Sequence, residues 1–102
     1  FLNAERIAKL PDGAIVVNTS RGDVIDDAAL IDALKSGKVR AAGLDVFTGE
    51  PNLDPAYRKL ENVFMLPHIG SATVETRNAM GYCAVDNLDA FFAGKGPLTP
   101  VT

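Results

Sequence analysis

The sequence holds no tryptophan, one cysteine and one histidine in 102 residues. A lone cysteine, Cys83, cannot close an intrachain disulfide, so the expected compartment is a reducing cytoplasm. No apolar run approaches the roughly 20 residues of a membrane-spanning helix, and no membrane partner is expected. A charged-then-apolar leader is also missing, which argues against secretion. Lys and Arg number 10 against 13 Asp and Glu, and the net charge of −3 argues against a nucleic-acid surface. No metal site is expected. What is present, 47% hydrophobic and 23% charged residues, is the usage of one modest globular domain.

The punctuation of the chain predicts its elements. Asn3 can cap a helix running to Leu10, which Pro11 and Gly13 stop. Ala14-Ile15-Val16-Val17 is a short β-branched run, and such runs suit a strand buried on both faces of a parallel sheet. After the loop Thr19-Ser20-Arg21-Gly22, Asp26 caps a helix over residues 27–36, whose buried stripe is Ala29, Leu30, Ala33 and Leu34. Gly37 ends it. A second strand is predicted over Arg40–Val46, with Asp45 at its C-terminal end, then a loop over 48–54. Pro55 opens a short helix ending near Leu60, and Val63–Leu66 forms a third strand. Ser71 or Thr73 caps a last helix over residues 74–92, on which Gly81, Ala84, Val85, Leu88 and Phe92 repeat at helical spacing and Cys83 reads as a small core residue. Gly94 ends this helix, and residues 95–102 form an irregular tail. Alternation of strands and helices makes the fold class α/β, with helices on both faces of a parallel sheet.

Parallel sheets bind ligands at the carboxyl ends of their strands. The three loops that leave those ends carry Thr19-Ser20-Arg21, Asp45 with Glu50, and His68-Ile69-Gly70, and they should share one sheet edge. Among them are a guanidinium, carboxylates and the chain's only imidazole. His68 could exchange a proton with a carbonyl or alcohol oxygen. Glu50 could hold the imidazole and favour its cation. Arg21 offers paired donors for a carboxylate or the carbonyl beside it. Taken singly, each has a plainer reading: Arg21 as a solvated surface charge, Glu50 before Pro51 as turn chemistry, Asp45 as a turn cap.

The blocks Val17-Asn18-Thr19-Ser20-Arg21-Gly22-Asp23-Val24-Ile25-Asp26, Gly43-Leu44-Asp45-Val46-Phe47 with Glu50-Pro51, and Leu66-Pro67-His68-Ile69-Gly70-Ser71-Ala72-Thr73 decide among these. In order and separation they resemble the D-isomer-specific 2-hydroxyacid dehydrogenases, over nearly the whole chain from Asn3 to about Phe92. The resemblance implies the C-terminal part of a Rossmann-type, doubly wound sheet: residues 1–73 as half of a dinucleotide-binding domain, 74–94 as a helix returning toward a substrate domain, and 95–102 as a tail. It implies Arg21, Glu50 and His68 as the catalytic set, and Thr19, Ser20, Arg21, Asp45, His68, Ile69 and Gly70 as contacts to the nicotinamide end of NAD or NADP. The reaction implied is reduction of a short 2-keto acid to a 2-hydroxy acid in a homodimeric enzyme. The text from His68 to Arg77 is most similar to bacterial glyoxylate/hydroxypyruvate reductases. Phosphoglycerate dehydrogenase or another D-2-hydroxyacid dehydrogenase is the first alternative, and a non-catalytic, dinucleotide-sensing interaction protein of the same fold is the second. Glu50 argues against formate dehydrogenase, which carries Gln at the matching position. The family's Gly-rich phosphate-binding turn has no counterpart between Phe1 and Thr102. A chain that opens mid-pattern at Phe1-Leu2 is therefore expected to be a fragment, inactive by itself.

Overall fold

The computed structural model describes residues 1–101, so Thr102, the last residue of the expected tail, lies outside the described residues. The chain divides into two compact units, the first spanning Phe1–Gly70 and the second beginning at Ser71.

The first unit contains helix α1 (Ala4–Ala8), strand β1 (Ala14–Asn18), helix α2 (Asp27–Ser36), strand β2 (Val39–Leu44) and strand β3 (Val63–Met65). Single 3-10 turns lie at Gly22–Val24 and Pro55–Lys59. The strands form one parallel sheet in the order β1-β2-β3. Local chemistry sets most boundaries. The Asn3 side chain accepts Arg6 N–H at 3.1 Å, and that of Asp26 accepts Ala29 N–H at 3.1 Å. Gly37 adopts φ 81°, the left-handed conformation that ends α2. Helix α1 is shorter than its spacing predicts, and Pro55 begins a 3-10 turn rather than an α-helix. Strand β2 stops at Leu44, leaving Asp45 and Val46 just beyond it.

The core lies on one face of the sheet. Val16, Ala42 and Leu44 pack there with Leu30, Ile31, Ala33 and Leu34 of α2, Ile7 of α1, and Tyr57. Leu30, Val39 and Tyr57 are fully buried, and a side chain of that kind contributes about 1.5–3 kcal/mol. The opposite face departs from the two-sided burial expected of these strands. Ile15, Val17 and Phe64 are 57%, 69% and 68% exposed, and the register sets Val17, Gly43 and Phe64 in one lateral row. The physical reason is that both helices and the 55–59 turn of this unit direct their apolar residues to the Val16–Ala42 side.

Tyr57 does more than pack. Its hydroxyl donates to Asp27 Oδ1 at 2.7 Å, and its ring meets Phe47 edge-on at 5.7 Å. Burial, followed by the hydrogen bond to Asp27 and that carboxylate's charge, pushes the phenol's pKa well above its ordinary range.

In the second unit α3 covers Val74–Phe92, and Thr73 rather than Ser71 is its cap, accepting Thr76 N–H at 3.1 Å. The apolar stripe is present but uncovered: Val85, Leu88 and Phe92 are exposed, and so is Cys83, which is not the core residue expected. Residues 95–101 carry no helix or strand, yet Asn87 holds this segment. The Asn87 Oδ1 accepts Thr99 N–H at 2.9 Å and its Nδ2 donates to Thr99 Oγ1 at 2.9 Å. No helix among the described residues is long and apolar enough to cross a membrane.

Candidate active site at the carboxyl edge of the sheet

Three turns leave the carboxyl ends of β1, β2 and β3, and two buried polar side chains shape two of them. Asn18, 5% exposed, closes β1. Its Oδ1 accepts Ser20 N–H at 3.0 Å and Ser20 Oγ–H at 2.9 Å, and its Nδ2 donates to the Arg21 carbonyl at 2.8 Å. Asp45, 3% exposed, follows β2. Its Oδ1 accepts Ile69 N–H at 2.8 Å and its Oδ2 accepts Gly70 N–H at 2.7 Å. The carboxylate therefore braces the turn that carries His68. Each oxygen keeps a further lone pair, so the brace does not preclude a ligand contact.

Glu50 divides its carboxylate between two duties. Oε1 accepts Phe47 N–H at 2.7 Å and closes the local turn, while Oε2 lies 2.8 Å from His68 Nδ1. One carboxylate thus closes the turn and contacts the imidazole at once. The hydrogen bond from His68, then that from Phe47 N–H, holds the Glu50 carboxyl below the usual carboxylate range. The side chains of His68 and Glu50 are 46% and 34% exposed, so the pair sits at a rim open to solvent. The Glu50–Pro51 peptide bond is cis. His68 has φ 57°, left-handed backbone that a non-glycine residue holds only when its surroundings enforce it. Here they are the Asp45 brace after it and the Glu50 bond on its ring.

Arg21 is exposed, with its Nη1 donating to the Ser20 carbonyl at 2.7 Å. With Gly22, Phe47, Thr48, Glu50 and His68 it lines an open groove of about 510 Å³, within the size of small-molecule sites. The structure thus brings Arg21 and the Glu50–His68 pair to one groove. Gly22 makes this possible: a Cβ there would lie 2.1 Å from the Phe47 carbonyl carbon, so only glycine allows the Arg21 turn to touch the 47–48 backbone. A second, apolar pocket of about 330 Å³ lies against the same pair, walled by Phe47, Leu53, Met65 and Pro67. Thr19 and Ser20 are exposed beside Arg21, and Ile69 is 46% exposed beside His68.

Asn18 escaped the sequence reading as a determinant of the site, and so did the close approach of Gly22 to the Phe47–Thr48 backbone. The available signal was an Asn ending an apolar strand run, a polar group that must be satisfied inside the fold. Among the described residues no group of three His, Cys, Asp or Glu side chains is placed to hold a metal ion.

Residues 1–70 match the family model of the D-isomer specific 2-hydroxyacid dehydrogenase, NAD binding domain. The chain is 49% identical over 94 residues to a glycerate dehydrogenase of Hyphomicrobium methylovorum, covering 92% of this chain and 29% of the relative. It is 52% identical over 96 residues to glyoxylate/hydroxypyruvate reductase B of Escherichia coli, covering 93% and 30%. The crystal structure of an NADPH-dependent glyoxylate/hydroxypyruvate reductase from Sinorhizobium meliloti, in complex with NADP and malonate, superposes with a TM-score of 0.92 at 46% identity. That superposition covers 99% of this chain and 32% of the other. This chain thus spans under a third of the length of these two curated relatives.

Proposed function

Because the chain belongs to the D-isomer specific 2-hydroxyacid dehydrogenase family, we propose that it carries the catalytic edge of an NAD(P)-dependent enzyme reducing short 2-keto acids, glyoxylate and hydroxypyruvate foremost. The observation that carries this reading is the Glu50–His68 contact of 2.8 Å at a groove shared with Arg21.

The donor set at this edge suits the nicotinamide end of the cofactor. Ile69 offers an apolar wall for a ring, while the Thr19 and Ser20 hydroxyls and the spare lone pairs of Asp45 suit an amide and a ribose. When bound, that group supplies a hydride to C2 of the keto acid, or removes one from the hydroxy acid. The protein's part is orientation and proton transfer. Arg21 holds the substrate carboxylate through paired N–H donors. Glu50 fixes His68 by accepting from Nδ1, which leaves Nε2 as the nitrogen that gives a proton to the carbonyl oxygen in reduction and takes it back in oxidation.

The remaining readings follow from that one. Residues 1–73 act as half of the dinucleotide-binding domain, and residues 74–94 as the helix leading toward a substrate domain. The whole enzyme is a cytoplasmic homodimer. The 102-residue chain has no Gly-rich turn to hold a pyrophosphate, and by itself it turns over nothing. The test is absorbance at 340 nm with the full-length protein containing this chain, NADH or NADPH, and glyoxylate, hydroxypyruvate or pyruvate. Saturable oxidation of cofactor is expected. No oxidation with any 2-keto acid would overturn the reading.

A further inference from the structure

Asn18 takes no part in the chemistry just described, yet its side chain is buried and all of its hydrogen-bonding partners lie in the turn that carries Arg21. A buried amide left unpaired loses its hydration with nothing in return, so turn conformations that do not satisfy it are disfavoured. Only a turn that brings Ser20 N–H, Ser20 Oγ–H and the Arg21 carbonyl together on one amide meets the demand. Arg21 needs such outside control. Among the described residues no carboxylate lies within ion-pair distance of its guanidinium, and its one side-chain bond is to the neighbouring Ser20 carbonyl. The direction of the guanidinium therefore follows from the backbone at residue 21, which is extended at φ −143° and ψ 148°. The Asn18 amide fixes that backbone from the sheet side, while its own carbonyl accepts Asp45 N–H at 3.0 Å.

We infer that Asn18 is the positioning residue for Arg21: its amide locks the Ser20–Arg21 turn so that the guanidinium meets the carboxylate of a 2-keto acid. The inference rests on the role proposed for Arg21 above. Asparagine is the residue type the geometry requires, because it presents an acceptor to Ser20 and a donor to the Arg21 carbonyl at once. Aspartate keeps the size and the acceptor but sets an oxygen against that carbonyl.

The test uses the full-length protein, with Asn18→Asp, Arg21→Ala and the double variant. Each is assayed for kcat and KM on glyoxylate, and for inhibition by oxamate as a non-reacting carboxylate probe. Asn18→Asp is expected to raise KM and the oxamate inhibition constant about tenfold or more. In the Arg21→Ala background the same change should cost less than about threefold, since the two residues act as one unit. A purely structural role would give equal losses in both backgrounds, and that result overturns the inference. A tenfold effect of Arg21→Ala beside a silent Asn18→Asp overturns it while leaving the proposed function standing. A wild-type KM for Arg21→Ala removes the functional reading of Arg21 and this inference with it. Should Asn18→Asp not fold, a crystal structure of the wild-type protein with oxamate decides. Arg21 on the oxamate carboxylate with its carbonyl still on Asn18 supports the inference, and Arg21 reaching oxamate with that bond broken overturns it.

Discussion

Asp45 and Gly70 meet at a single oxygen. Asp45 Oδ2 accepts Gly70 N–H at 2.7 Å, and a Cβ on residue 70 would stand 2.9 Å from that same atom. Gly70→Ala therefore has to push the carboxylate aside and loosen the brace on the His68 turn. The expected cost is about 1–3 kcal/mol in urea denaturation, the usual penalty for overpacking a well-filled site. A matching fall in kcat is expected in the full-length protein. Unchanged stability would show that the carboxylate has room to retreat.

His68 separates backbone from chemistry. Its φ of 57° is tolerated by His, Asn and Asp but poorly by β-branched residues. His68→Val should be less stable than His68→Asn by about 1–3 kcal/mol. Both should lower kcat by roughly 10²–10⁴-fold, the range for a lost acid–base group. Equal thermal midpoints for the two variants would show that the turn does not hold residue 68 in this conformation.

Acid titration should report the Glu50 pair. The folded pKa of Glu50 is lowered from 4.5, first by the His68 hydrogen bond and then by Phe47 N–H. A depressed carboxyl pKa contributes stability that is fully present above the unfolded value and is lost as pH falls through the folded one. The stability difference between wild type and Glu50→Gln should accordingly shrink as pH falls below about 4.5. Denaturant midpoints taken from pH 7 to pH 3 measure it, and a gap that never narrows contradicts the assignment.

Tyr57 should act at the opposite end of the scale. Its phenol is raised above an ordinary value of 10.0, so the unfolded chain ionises first and folding loses stability as pH rises past that value. Tyr57→Phe keeps the ring contact with Phe47 but abandons the bond to Asp27. A loss of about 1.5–3 kcal/mol at neutral pH is expected for a hydrogen bond to a charged group. The variant should also show a shallower decline above pH 10 in chemical denaturation, and identical alkaline slopes would count against the buried phenol.

Much of this fold could be read from residue order, because the signals involved are local. Asn3, Asp26 and Gly37 mark helix ends by their own hydrogen bonds or backbone angles, and the three apolar runs mark the strands. The edge that gathers Arg21, Glu50 and His68 was also legible, since parallel topology puts every strand's exit on one side. What escaped was set by neighbours distant in sequence. The contact between Gly22 and the Phe47–Thr48 backbone spans two loops, and nothing near residue 22 announces it. The exposure of Ile15, Val17 and Phe64 depends on which side the helices occupy, and an apolar strand run does not encode that.

The hydrogen bond from Asp45 N–H to the Asn18 carbonyl ties β1 to the residue following β2. Directly beyond it, one of these residues holds the Arg21 turn and the other holds the His68 turn. Fraying at the carboxyl end of the sheet would thus reach both turns together. On warming, the groove should lose its guanidinium and its imidazole in one event, so that amide exchange at Ser20 and at Gly70 rises with a common opening energy while α2 remains protected.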